Sequence, residues 1–248
     1  MQRYFVPASS WDTDRLCITG QDAHHISHVM RCKPGDEVIC SHPDGKAAAC
    51  KITEIKENEV ILLVMQWLDR DAELPIAVTI AQGLPKADKM ELILQKGTEL
   101  GASAFIPFKA QRSVVKWDDK KMAKKMDRFA KIVKEASEQS HRNKIPKLHE
   151  QMNINQLILE SKSYDICIFA YEEEAKVANF NSFSTIVKKM NKGQRMLVCI
   201  GPEGGFTTEE VQLLKKNGFF PVRLGPRILR TETAAMYVLA GISYQFEE

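Results

Sequence analysis

The sequence has no uninterrupted apolar run near the ~20 residues that cross a bilayer. Its opening stretch, MQRYFVPASSWDTD, lacks the basic, apolar and small-residue order of a secretory leader. A soluble cytoplasmic protein, with no membrane partner, is the expectation. None of the cysteines (Cys17, Cys32, Cys40, Cys50, Cys167 and Cys199) forms a C-x-x-C pair, which argues against a zinc site and a disulfide framework. Cys167 and Cys199 sit in the apolar runs DICIFA and MLVCI, the usual setting of buried thiols. His24 and His28, in HHISH, stand at i, i+4 spacing, but two imidazoles fall short of a metal's ligand set, and no metal is expected. Internal repeats and low-complexity tracts are absent.

What is present is enough for a proper core. The chain has 248 residues and is 44% apolar, which suits one large domain or two smaller ones. Net charge is +3, yet residues 109–147 hold 13 Lys/Arg against 5 Asp/Glu, a local +8 that leaves 3 − 8 = −5 for the rest. A basic stretch of this kind is either an electrostatic footprint for nucleic acid or a solvated helix face.

Residues 1–72 read as β-rich. DEVICSH, KAAACKITEI and NEVILLVM alternate partly and are separated by turn residues such as PDG and KEN, so a small β-barrel is the simplest arrangement. The polar stretch WLDRDAELP closes this region. Residues 73–248 alternate strand with helix: PIAVTIAQ, AFIPF, DICIFA, MLVCI and FFPVRL as strands, with amphipathic segments between them. Asp88 and Glu91 have capping-box spacing before the helix ADKMELILQKGTELGA, and Gly101 suits its C′ stop. A long helix follows, with Met122, Met126, Phe129 and Val133 on one face and lysines 120, 121, 124 and 125 on a peripheral, solvated one. The last helix, about 232–246, is apolar nearly all round and belongs in a core or a subunit interface. The order implies an α/β domain with a mostly parallel sheet covered on both faces.

Ligands of open α/β sheets bind beyond the carboxyl ends of strands. Two loops qualify, GPEGGFTTEE and LGPRILRTETAA; with one helix between them, they read as neighbouring strand ends of a β-α-β unit. Gly201, Gly204 and Gly205 permit close backbone approach, and Thr207 and Glu210 have capping-box spacing. The first loop is neither a P-loop nor G-x-G-x-x-G, and Glu203 at its centre would repel a pyrophosphate. The ligand is therefore uncharged or cationic where it faces Glu203. In the second loop Gly225 turns the chain and Arg227 and Arg230 add cations. Thr231 suits an N-cap, and Glu232 falls in the first helical turn.

GPEGGF followed by LGPRILRTETAA resembles the signature of the SPOUT-type methyltransferases, and the similarity is strongest to the RsmE-type family that methylates N3 of a uridine in bacterial 16S ribosomal RNA. KADKMELILQKGTELG, QRSVV, EASEQSHR, RYFV and HISHVMRCKPGD extend the resemblance over nearly the whole chain. His141 departs from it, standing where a smaller residue such as glycine is expected. The resemblance implies a PUA-like RNA-binding barrel (1–72) and a SPOUT domain (73–248) with a trefoil knot over about 196–235. It also implies a homodimer with the last helix at the interface, and 16S rRNA of the small ribosomal subunit as partner.

It further implies S-adenosylmethionine as cofactor. The residues carried over for it are Ile200, Gly201, Glu203, Gly204, Gly205, Leu224, Gly225, Ile228, Leu229, Arg230, Thr231, Thr233 and Ala234. Arg230 is the candidate for stabilising a uracil imide anion and Glu232 for accepting its proton. Arg3, Arg31, Arg112, Lys116, Arg142 and Lys144 are the candidate phosphate contacts. A SPOUT-type ribose 2′-O methyltransferase acting on rRNA or tRNA is the alternative reading.

Overall fold

The computed structural model describes every residue except 70, 116, 118 and 173–181, and leaves out the side chains of 119–121. Lys116 and the side chains of Lys120 and Lys121 thus lie outside the described residues. The chain divides into two compact units, Met1–Glu73 with Ser137–Ile145, and Leu74–Ala136 with Pro146–Glu248. Among the described residues no helix is long and apolar enough to cross a membrane.

The first unit is built on β1 (Arg3–Phe5), β2 (Trp11–Asp12), β3 (Arg15–Thr19), β4 (Glu37–Ser41), β5 (Ala47–Ile55) and β6 (Glu59–Leu68). They form one six-stranded sheet in the order β1-β4-β5-β6-β3-β2, antiparallel except for β1 on β4. Period-two alternation places Val38, Cys40, Cys50, Ile52, Val60 and Leu62 in a single core with Tyr4 and Leu16. A short helix, α1 (Gly20–His24), runs on into a π-type turn over His25–Val29. It was not foreseen in a β-rich region, and it is held because Ala23 and Ile26, three apart, both enter that core.

Ser137–Ile145 joins this unit through buried charge. Arg3 Nη1 donates to the Arg142 carbonyl (2.6 Å), Asn143 Oδ1 (2.9 Å) and Ser41 Oγ (3.2 Å). Glu73 accepts the backbone N–H groups of Asn143 and Lys144, both at 3.1 Å, and pairs with the Arg142 guanidinium. Arg3 and Arg142 are 3% and 2% exposed. Both were expected to meet RNA phosphates; their guanidinium groups are instead withdrawn from solvent and bonded within this unit, which counts against that role. Arg31 and Lys144 are exposed.

The second unit contains β7 (Ala77–Gly83), α2 (Lys89–Glu99), β8 (Ala104–Lys109), α3 (Asp119–Gln139), β9 (Lys147–Leu148) and β10 (Met152–Asn153). It continues with α4 (Ile154–Ser161), β11 (Ile166–Ala170), α5 (Phe183–Val187), β12 (Arg195–Ile200), α6 (Thr208–Lys216), β13 (Phe220–Val222) and α7 (Thr231–Glu247). The final turn of α3 falls in the first unit. The sheet runs β10-β8-β7-β12-β11-β13, with β9 also on β8, and every pairing is parallel. Along β12, Met196, Val198 and Ile200 enter one cluster with α2, α3, α5 and α7, while Leu197 and Cys199 enter another with α4 and α6. Both sheet faces are therefore covered. Burial pushes the Cys167 thiol up to about 11 and that of Cys199 well above its usual value, as expected of inert core thiols.

Two helix ends share one geometry. Gly101 (φ +92°) follows α2, with its N–H on the Thr98 carbonyl and the N–H of Ala102 on that of Gly97. His141 (φ +58°) follows α3 with the same pair of bonds, from His141 to Glu138 and from Arg142 to Ser137. The turn takes a left-handed residue, which suits the glycine that the resemblance implies at this position. The capping box foreseen at α2 does not form. Asp88 is the N-cap but makes no side-chain bond, and Glu91 instead meets Arg128 at 2.7 Å.

Candidate active site

The two glycine-bearing loops leave the carboxyl ends of β12 and β13. These strands are not neighbours, as the sequence suggested, because β11 lies between them. The carboxyl end of β11 consequently contributes Ala170, Tyr171 and Glu172 to a cavity of about 920 Å³ at this edge. That size suits a nucleoside-sized ligand. Every residue expected to hold a donor lines the cavity except Thr233. Thr233 is exposed on α7 instead.

The first loop turns through a Gly205 N–H bond to the Pro202 carbonyl (2.8 Å). The expected capping box starts α6: Thr207 N–H donates to Glu210 Oε2 at 2.9 Å and Glu210 N–H to Thr207 Oγ1 at 3.3 Å. The other oxygen of Glu210 accepts the N–H of Gln111 at 2.8 Å, fastening the chain after β8 to the same place. Next to it, Arg112 donates to the Gly204 carbonyl at 3.0 Å and stays exposed at the cavity wall. Gly83, at the end of β7, allows the loop to pass: a Cβ there would lie 2.7 Å from Pro202 N and Cδ.

Thr231 does not cap α7. Arg230 is the N-cap, without a side-chain bond, and the buried Thr231 hydroxyl donates to the Gly201 carbonyl (2.7 Å) while accepting from Gln82 Nε2 (2.8 Å). The hydroxyl thereby joins both loops to β7. Arg227 and Arg230 are exposed cations on the cavity wall, and Arg223 Nε holds the Gly225 carbonyl at 2.7 Å.

Glu203 is braced rather than aimed freely into the cavity. Its Oε1 accepts the Lys86 N–H (3.1 Å) and lies 3.0 Å from Lys89 Nζ. Burial works against ionisation of this carboxyl, but its own N–H, that of Lys86 and the Lys89 ammonium prevail and hold it below its ordinary value. The same ammonium stands 3.3 Å from Glu232 Oε2 in the first turn of α7. Lys89 itself lines the cavity. Sequence reading missed Lys89 and Gln82, whose partners lie far along the chain; the end of β11 was missed with the strand order. His24 and His28 stack at 4.4 Å, and among the described residues no cluster of three metal-ligating side chains forms.

A parallel sheet whose carboxyl edge carries this cavity is the fold of an RNA methyltransferase: the family model of an RNA methyltransferase domain matches residues 72–243, and that of an RNA methyltransferase PUA domain matches 18–65. The ribosomal RNA small subunit methyltransferase E of Bacillus subtilis is 48% identical over 250 residues, covering 100% of this chain and 98% of its own. The Mycobacterium bovis enzyme of the same name is 30% identical, over 93% and 87% of the two chains. The chain belongs to the ribosomal RNA small subunit methyltransferase E family. Its fold matches the Neisseria gonorrhoeae member solved with S-adenosyl methionine (TM-score 0.85, 26% identity, 99% and 98% covered). A Legionella pneumophila protein solved with the bound cofactor SAM matches as well (TM-score 0.85, 30% identity, 98% and 97% covered).

Proposed function

We propose that this protein methylates N3 of a uridine in 16S rRNA of the small ribosomal subunit, using S-adenosylmethionine. The observation that carries the reading is the cavity at the carboxyl ends of β11, β12 and β13 in a chain of this family. The residues fit the cofactor. Gly205 has φ +65° and nothing within 4 Å of its missing Cβ, so open backbone faces the space. The carboxylate that would have excluded a phosphate is already matched by Lys89. The walls at 200–205, 224–225 and 228–231 with Ala234 would hold the cofactor, which supplies an electrophilic methyl group when bound.

Uracil N3 becomes nucleophilic when its imide proton leaves. Arg230, exposed at the cavity wall, is suited to stabilise the imide anion, and Glu232, two residues on, to take the proton. Holding N3 in line with the methyl group is mainly a positioning task. The target base must first be unstacked to reach the cavity. Arg31, Arg112 and Lys144 are exposed cations suited to phosphates.

A homodimer is supported by α7. One face, with Ala234, Ala235, Val238, Leu239 and Ile242, enters the core, while Tyr237 and Tyr244 stand 41% and 76% exposed on the other. A knot is supported by the skipped strand and by the return of Thr231 to Gly201. The test is methylation of naked 16S rRNA and of assembled small subunits, followed by mass spectrometry of the nucleosides. 3-Methyluridine is expected; a 2′-O-methylated nucleoside would overturn the reading.

A further inference from the structure

We infer that Lys89, which lines the cavity, is a positioning residue for methyl transfer, an ammonium that fixes the Glu232 carboxylate by tying it to the Glu203 loop. The inference rests on the reading of Glu232 as proton acceptor. Three separate elements meet here: the start of α2, the loop after β12 and the first turn of α7. Lys89 Nζ is 3.0 Å from Glu203 Oε1 and 3.3 Å from Glu232 Oε2. Two carboxylates converging so closely repel each other unless a cation stands between them.

The arrangement is directional. The Glu232 side chain is 13% exposed and its Oε2 is shielded from water, with Lys89 the cation beside it among the described residues. Without that ammonium the oxygen has neither water nor a charge to hold it, and the carboxylate has no fixed aim. Glu203 meanwhile keeps its second hold on α2 through the Lys86 N–H at 3.1 Å, so the loop stays anchored when Lys89 is changed. Removing Lys89 therefore acts on Glu232 more than on the cofactor walls. The ammonium is itself secured, since the bond to Glu203 and that to Glu232 outweigh desolvation and raise its pKa.

The test compares wild type, Lys89→Met, Lys89→Arg, Glu232→Gln and the Lys89→Met/Glu232→Gln double variant. Single-turnover methyl transfer is measured at saturating S-adenosylmethionine and rRNA, and cofactor affinity by calorimetry. Lys89→Met is expected to slow the saturated rate by ~10- to 100-fold, the scale of a misplaced reacting group, while Kd for the cofactor changes by less than about threefold. Lys89→Arg recovers most of the rate, and the double variant is no slower than Glu232→Gln, because Lys89 acts through that residue. Losses that multiply in the double variant, or a normal saturated rate in Lys89→Met, overturn the positioning role while leaving the role of Glu232 standing. A normal rate in Glu232→Gln overturns the proton-acceptor reading, and the inference with it.

Discussion

The hydroxyl of Thr231 bonds the carbonyl of Gly201 at 2.7 Å, and through it the start of the last helix is held against the end of β12. Gln82 completes the relay from β7 at 2.8 Å. Thr231→Val keeps the shape and removes both bonds, costing the Gly201 carbonyl the hydroxyl it accepts from and the Gln82 amide one of its two acceptors. A loss of about 1–3 kcal/mol is expected, with weaker S-adenosylmethionine binding, whereas Thr231→Ser retains both. Urea unfolding and calorimetry read the two effects.

Gly83→Ala places a methyl group 2.7 Å from the backbone nitrogen of Pro202, which cannot swing aside as a side chain can. The loop must move, at about 1–3 kcal/mol. Cofactor affinity should fall even where the variant still folds, because the displaced residues line the cavity.

Glu73→Ala removes the carboxylate that pairs with the buried Arg142 guanidinium and accepts the N–H groups of Asn143 and Lys144, and about 3–5 kcal/mol of stability should go with it. Substituting both members by apolar residues of similar size should cost less. Denaturant midpoints of the single and double variants decide the order.

RNA affinity should drop steeply as salt rises, since displaced counterions dominate phosphate binding. Arg31→Ala and Lys144→Ala should each reduce the logarithmic salt slope by about one. Arg3→Ala should register as lost folding stability instead, because its guanidinium is buried on Ser41, Arg142 and Asn143.

The Glu203 carboxyl titrates below its unfolded value of 4.5, so its interactions contribute stability above that pH and lose it as pH falls through the lower folded value. Unfolding curves of wild type and Glu203→Gln should therefore differ most near neutrality and converge as pH falls through the lowered folded value. A gap that persists in strong acid would exclude the ionised brace.

Much of this was legible locally. The Thr207–Glu210 box and the stop at Gly101 are each set within a few residues, and both formed where the spacing put them. The glycine expected at 141 came from the family resemblance alone, and a histidine takes the same left-handed turn there. What local pattern could not carry was strand order. A helix between β12 and β13 says only that they are parallel, not that β11 occupies the place between them. Lys89 was missed because its partners approach only once the sheet has formed. Arg3 and Arg142 misled for a related reason: a cation's burial depends on acceptors that fold brings, and neither composition nor spacing reveals them.

The interleaving of the two units sets an order of events during synthesis. Arg3 and Glu73 leave the ribosome early, yet their partners at 142–144 emerge only after all of β7, α2, β8 and α3 has been made. The first unit cannot complete its charge network until then, so its final consolidation waits on chain that mostly belongs to the second. A fragment ending at residue 73 would lack that closure, and one beginning at residue 74 would lack the Glu73 carboxylate that receives Arg142 and the N–H groups of Asn143 and Lys144.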